Sequence, residues 1–303
     1  MPGPIKVSAI VSAYKVEKYL ADFLRNVAEQ TMRGNMEIVF VHNEPTQREQ
    51  SLVYSFLALH PDLIQYIVVP RESLAVSTNR AIRAARGEYV CIWNLDDLRT
   101  PDSLAVMAHT LDVHPEASFT YGDFMIVTEW LTKKGVLITA PEFNKTEFVQ
   151  SMHLGPFYMW RRSVCDAIGY WDEQFKCVGD FDFAARLATE FIGQKTYNLL
   201  GYYLDEGMGL STRRGSVLPI ERTCVELRFS VYHKLDFLYY FKTKKYRLTE
   251  ILNDGQWINL SALAPHIGDN AEGKLDFIYG CITYPIRFMQ RAFRYLIKRF
   301  LKS

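Results

Sequence analysis

Along the first hundred residues, short apolar runs alternate with segments whose apolar residues recur every three or four positions. Val7-Ser-Ala-Ile-Val-Ser-Ala13, Glu37-Ile-Val-Phe-Val41, Ile64-Gln-Tyr-Ile-Val-Val69 and Tyr89-Val-Cys-Ile-Trp93 are β-rich and mostly apolar. They fit strands covered on both faces. Between them Tyr19, Phe23 and Val27, then Leu52, Phe56 and Leu59, then the run from Ala75 to Ala85 carry helical spacing. Alternation at this pace predicts right-handed crossovers and a Rossmann-type α/β fold with a mostly parallel sheet. Ligands of such sheets bind at the carboxyl ends of strands, so the residues just after each strand become the candidates.

Beyond residue 100 the pattern predicts strands near Ser118–Val127 and Val136–Thr139, a helix from Gly179 to about Phe191 and a last strand over Thr196–Leu204. From Val217 longer helical patterns take over, with Val225, Phe229, Tyr232 and Leu235 in register. A boundary near Arg213-Arg214-Gly215-Ser216 divides the chain into an α/β unit, 1–215, and a helical extension, 216–303. With 303 residues, 49% of them hydrophobic, there is ample material for one large core. The 35 basic residues almost cancel the 34 acidic ones, leaving +1 and no general drive toward nucleic acid. Five dispersed cysteines without a Cys-x-x-Cys pair, and seven histidines without His-x-x-x-His spacing, predict reduced thiols and no zinc site. No apolar run reaches bilayer length and no secretory h-region is visible, so a soluble cytoplasmic protein is expected.

The residues after the strands are polar: Ala13-Tyr14, His42-Asn43-Glu44, Arg71-Glu72-Ser73 and Asn94-Leu95-Asp96-Asp97. Adjacent carboxylates at a strand end repel each other unless a cation or a set of donors compensates. Mg2+ or Mn2+ suits such a place, because a hard cation takes oxygen ligands and completes its shell with water and substrate phosphates. Helix capping does not explain the pair, since Thr100 before Pro101 already supplies a cap. Trp160-Arg161-Arg162 reads as solvated arginines starting a helix, with a cation near the donor phosphates or an acidic acceptor as the other reading. No Gly-x-Ser-x-Gly elbow, P-loop or complete dinucleotide fingerprint occurs.

In order and spacing, five segments resemble family 2 glycosyltransferases of the GT-A fold. These are Val7–Tyr14 with Lys18-Tyr-Leu and Gln30-Thr31; Ser77-Thr-Asn79-Arg80 with Ala84-Ala-Arg-Gly-Glu-Tyr89; Asn94-Leu95-Asp96-Asp97; Gly169-Tyr-Trp-Asp172-Glu-Gln-Phe175; and Gly179-Asp180-Phe-Asp182. The likeness runs over roughly residues 5 to 212. It implies a metal-dependent, inverting transfer from a nucleotide-sugar donor, with UDP expected, to a saccharide or lipid-linked acceptor in cell-surface polysaccharide or glycan synthesis. By position it implies a diphosphate held by a metal on Asp96 and Asp97. Ala13, Tyr14, Asn43, Glu44, Asn79 and Asn94 would line the donor, and Asp180 would take the acceptor proton.

The chain also departs from the family pattern. Asn94 stands where the first metal-motif aspartate is usual, His42-Asn43-Glu44 where paired acids are frequent, and Gly179 where an acid often precedes the catalytic aspartate. The histidine that reaches the metal in many members has no counterpart in Tyr203-Leu-Asp205-Glu206-Gly; Glu206 or Asp205 is the candidate substitute, a solvated acidic turn the other reading. Two rival functions follow: a degenerate sugar- or partner-binding member of the fold, favoured by Asn94 and Gly179, and a sugar-phosphate nucleotidyltransferase, which would want an Arg-containing Gly-rich loop after the first strand. At the C-terminus, Ile286, Met289, Phe293, Leu296 and Phe300 face a basic row of Arg287, Arg291, Arg294, Lys298 and Lys302. Residues 284–303 therefore read as a basic amphipathic helix for an anionic membrane surface, or for docking on the core or on a second copy in a homo-oligomer.

Overall fold

The computed structural model describes residues 4–207, 209, 215–231, 239 and 241–264. The expected amphipathic helix at 284–303 lies outside them.

Four strands, β1 (Val7–Ala13), β2 (Met36–Asn43), β3 (Ile64–Val69) and β4 (Tyr89–Ile92), alternate with helices α1 (Glu17–Ala28), α2 (Gln47–Leu59) and α3 (Leu74–Ala84). They pair in parallel in the order β3-β2-β1-β4. The central strands β1 and β2 are buried almost without interruption, which is why their sequences read as apolar runs rather than as alternation. Local chemistry fixes the helix starts. Thr46 and Glu49 form a capping box on α2, and Ser73 caps α3 through the Val76 amide.

The second half of the sheet changes character. After β5 (Leu98–Arg99) and α4 (Ser103–Val113) come β6 (Phe119–Val127), β7 (Val136–Ile138), α5 (Lys145–Gln150), β8 (Met159–Arg161), α6 (Val164–Ile168), α7 (Gly179–Glu190) and β9 (Gly193–Leu204). The sheet continues from β4 through β8, β6 and β9 to β5, with β7 on β6. Only β6–β9 is parallel there; β4–β8, β6–β8, β6–β7 and β5–β9 are antiparallel. The whole is a mixed α/β sheet flanked by helices, all-parallel in its first half and mostly antiparallel in its second.

Two local expectations are corrected. Trp160 and Arg161 lie on β8 rather than starting a helix, and the Arg161 guanidinium is spent on the carbonyls of Ala117 and Leu111 at 2.9 and 2.7 Å. Thr100 does not cap α4: its hydroxyl donates to the Leu199 carbonyl on β9 at 3.0 Å, and Asp102 occupies the cap position without a side-chain bond. Beyond residue 215 the described chain forms α8 (Leu218–Arg228) and then a two-stranded hairpin, β10 (Glu250–Asn253) and β11 (Gln256–Asn259), that the helical spacing did not predict. No disulfide occurs among the described residues, and Cys91, Cys165 and Cys224 are buried thiols. No described helix is long and apolar enough to cross a membrane.

Candidate active site

The turn after β4 carries Asn94, Asp96 and Asp97 in three different environments. Asn94 is exposed and Asp96 half-buried, whereas Asp97 is only 2% exposed. The Asp97 carboxylate points inward, accepting from the Asn94 amide at 3.0 Å and from the Leu204 backbone N–H on β9 at 3.3 Å. Burial first, then the neighbouring charge of Asp96, raises its pKa; burial, then Glu206, raises that of Asp96. Neither acid forms an ion pair among the described residues. Two raised, uncompensated carboxylates side by side are stabilised by any cation that arrives.

Asp180 stands in the first turn of α7, where Phe181 N–H donates to its Oδ1 at 2.8 Å. Burial pushes its pKa up to about 6 against those backbone bonds. Gly179 before it is held by packing, not by chance. A Cβ there would come within 2.9 Å of Cε3 of the buried Trp171 ring, so the acid frequent at this position in the family has no room.

Asp180 and the pair at 96–97 belong to one neighbourhood. The Tyr203 phenol on β9 is pushed up to about 12 by burial and then by the charges of Asp97, Asp205, Asp96 and Asp180. Asp180 also acts on the Tyr158 hydroxyl, which is buried without a hydrogen-bond partner.

The other expected donor contacts divide. Tyr14 is half-buried beneath the Arg71 guanidinium, whose carbon sits 3.4 Å from the ring centroid, and Glu44 is exposed with φ of 45°. Both remain at the strand ends with free surface. Ala13, Asn43 and Asn79 are buried. The Asn43 amide donates to Ala13 O and Ser77 Oγ and accepts from Glu72 N–H. Asn79 donates to Trp171 O and Glu173 Oε1 and accepts from Trp171 N–H. With every polar atom satisfied internally, these two asparagines position strand ends and the Gly169–Asp172 turn instead of facing open space.

Glu206 is likewise occupied. Lys18 Nζ lies 2.8 and 2.7 Å from its two oxygens, and the Tyr19 hydroxyl donates to one of them at 2.9 Å. Lys18, in turn, lowers the pKa of Asp96. No group of three or more His, Cys, Asp or Glu among the described residues could hold a metal ion. The residues nonetheless fit a cation that would draw most of its ligands from substrate phosphates and water; Asp96 would then be the direct protein ligand, with the charge of Asp97 behind it. Glu206 does not join them in this arrangement, because both of its oxygens are taken.

A further set of charges was not legible as a site. Asp172, Asp182, Arg186 and Arg228 are all essentially unexposed and joined by bonds of 2.6 to 3.0 Å. The Asp182–Arg186 spacing of four was a visible helical signal. Nothing local in the chain marked Arg228 as their partner.

This architecture, a mixed α/β sheet with carboxylates converging at the ends of its strands, is the GT-A fold of nucleotide-sugar transferases. The model of the glycosyl transferase family 2 matches residues 8–169, more than half of the chain, and the chain belongs to that family. The uncharacterized glycosyltransferase YwdF of Bacillus subtilis is 26% identical over 196 residues, covering 62% of this chain and 69% of the relative. Among solved structures, residues 1–349 of Staphylococcus aureus TarS in complex with UDP superpose with a TM-score of 0.57 at 18% identity, covering 78% of this chain and 68% of that one. The mannosyltransferase PcManGT of Pyrobaculum calidifontis, in complex with GDP-Man and Mn2+, gives 0.50 at 18% identity over 90% of this chain and 72% of that one. The chain spans between 20% and 69% of the length of six curated relatives it matches.

Proposed function

We propose that this chain transfers a sugar from a nucleoside diphosphate sugar, UDP-linked, to a hydroxyl of a saccharide or lipid-linked acceptor, with inversion at the anomeric carbon. The observation that carries the reading is the convergence on Tyr203: one phenol feels the acids at 96–97 and the acid at 180, so the proposed binding and proton-accepting groups lie within electrostatic reach of one side chain. Asp180, raised to about 6 by burial, is half ionised near that pH and fully ionised above it. Its carboxylate then serves as general base toward an acceptor hydroxyl, a contribution typically of ~10² to 10⁴-fold. Tyr14 and Arg71 offer a flat stacked surface at the ends of β1 and β3 on which a nucleobase can lie, with Glu44 beside it. A divalent ion at Asp96 would supply Lewis-acid stabilisation of the departing diphosphate. Support for a UDP donor and for divalent metal comes from the fold neighbours, which hold UDP in one case and GDP-Man with Mn2+ in the other.

The test is donor turnover, followed as release of nucleoside diphosphate from UDP-GlcNAc, UDP-glucose and GDP-mannose, each with Mn2+ or with EDTA. Expected are Mn2+-dependent release from a UDP-linked donor and its loss in Asp180→Asn with donor binding retained. Binding of donors without release in any condition would replace the transferase with a binding protein of the same fold. Pyrophosphate-dependent exchange into a sugar phosphate would replace it with a nucleotidyltransferase.

A further inference from the structure

Arg228 lies beyond the family-matched residues 8–169 and in the segment that the sequence divides from the α/β unit, yet it is buried inside the core. Its Nη1 donates to Asp182 Oδ1 at 2.6 Å and its Nη2 to Asp172 Oδ2 at 2.7 Å. Its Nε donates to the Leu248 carbonyl at 2.9 Å, and Nη2 is shared with the carbonyls of Arg247 and Glu250 at 2.9 and 2.6 Å, which ties α8 to the β10 strand. Arg186 holds the other oxygen of Asp182 through Nε and Nη2 at 3.0 and 2.8 Å, and reaches the carbonyls of Ile168, Gly169 and Tyr170. Asp172 closes the circuit by accepting from Leu252 N–H on β10 and from Gln174. Two acids and two guanidiniums cancel, and each oxygen has at least one donor.

The circuit encloses the first turn of α7. Asp180 stands two residues before Asp182, and the turn has no side-chain cap: Val178 occupies the N-cap position with no bond from its side chain. Trp171 packs so close to Gly179 that no Cβ fits there, and the Asp182 bonds hold the same turn three residues on. Removing a buried partner from such a circuit leaves an unneutralised charge in a dry interior, which the turn can relieve only by moving or by admitting water.

We propose that Arg228, acting through Asp182 and Asp172, is a positioning residue for Asp180, so that the segment after residue 215 completes the active site rather than standing beside it. This rests on the reading of Asp180 as the base. The phenols of Tyr158 and Tyr203 both feel the charge of Asp180, and Tyr158 also feels Arg186 of the circuit. Loss of the Arg228 charge by itself raises the Asp180 pKa and loss of the Asp182 charge by itself lowers it, so a downward move in Arg228→Met reports movement or hydration of the turn.

The experiment compares the full chain with Arg228→Met, Asp182→Asn and Asp180→Asn, measuring turnover against pH and UDP binding per folded molecule by calorimetry. Positioning predicts a kcat at least tenfold lower in Arg228→Met and Asp182→Asn, UDP affinity within twofold of the parent, and an acid limb moved to lower pH as water reaches Asp180. If Arg228→Met does not fold, Asp182→Asn, which keeps the shape and leaves Arg228 paired with Asp172, carries the measurement. A parental kcat and acid limb in the folded variants overturn the positioning role while leaving the base reading intact. A parental kcat in Asp180→Asn overturns the base itself. A kcat loss with the acid limb in place means the circuit holds the fold only, and also overturns the proposal.

Discussion

Replacing Asp180 with asparagine should make the protein more stable while abolishing its turnover. Burial lifts the Asp180 pKa from 3.8 to about 6, so the folded state resists ionisation that the unfolded chain accepts freely. The sign follows directly. Below 3.8 the acid is neutral in both states and costs nothing; above about 6 it is charged in both, and the folded state bears the full penalty. Linkage puts that penalty at about 0.5 kcal/mol at pH 4 and about 3 kcal/mol at pH 8, the latter an upper bound because the side chain keeps some contact with solvent. Asparagine removes the charge and can still accept the Phe181 N–H bond, so the gain should appear undiminished. Thermal melts of parent and variant at the two pH values, with release of nucleoside diphosphate alongside, measure both halves. Equal melting points at pH 8, or the same gain at pH 4 as at pH 8, would refute the claim that burial penalises the charged form of Asp180.

Three further outcomes are expected. Gly179→Glu, which restores the acid frequent in the family, should destabilise by about 1–3 kcal/mol in a melt, since its Cβ meets the buried Trp171 ring at 2.9 Å. Asn79→Ala should cost about 2–3 kcal/mol, because it strands the Trp171 N–H and carbonyl together; its signature is a lower denaturant midpoint with the nucleotide selectivity of the folded protein unchanged. Mn2+ should raise the melting point of the parent and of Glu206→Gln alike but not that of Asp96→Asn, as Asp96 is the accessible carboxylate and Glu206 is bound to Lys18. A metal response lost in Glu206→Gln would show that Lys18 releases it.

The parallel half of the sheet was legible because its strands are buried on both faces and its helices alternate with them in sequence. The antiparallel half was not, since β8 has three residues and a charged tail that reads as a helix start. The candidate acids were legible as unusual residue types at strand ends. Their division of labour was not: periodicity does not say that Asp97 turns inward to Leu204 N–H or that Asn43 and Asn79 spend their amides on the backbone. Those roles are set by contacts between residues 29 to 107 positions apart. Asn79 carries the lesson most sharply, because its place in a recognisable motif suggested a ligand contact, whereas its bonds to Trp171 show what the motif does mechanically.

The buried carboxylates fall into two classes by how the chain treats their charge. Asp172 and Asp182 receive two arginines, one from α7 and one from α8, although burying two guanidiniums is expensive in desolvation. Asp96, Asp97 and Asp180 receive no ion pair among the described residues, and burial raises all three. A chain able to place Arg228 between two acids has the means to neutralise the others, and Arg99 lies near enough to Asp97 to lower its pKa without pairing with it. Groups left uncompensated destabilise the folded state unless something from outside meets them. On the proposed function, at 96–97 that would be a cation carried with a diphosphate, and at 180 a proton from an acceptor hydroxyl. On that reading, the pattern of missing counter-charges, more than the presence of any one acid, separates the carboxylates that serve the reaction from those that serve the fold.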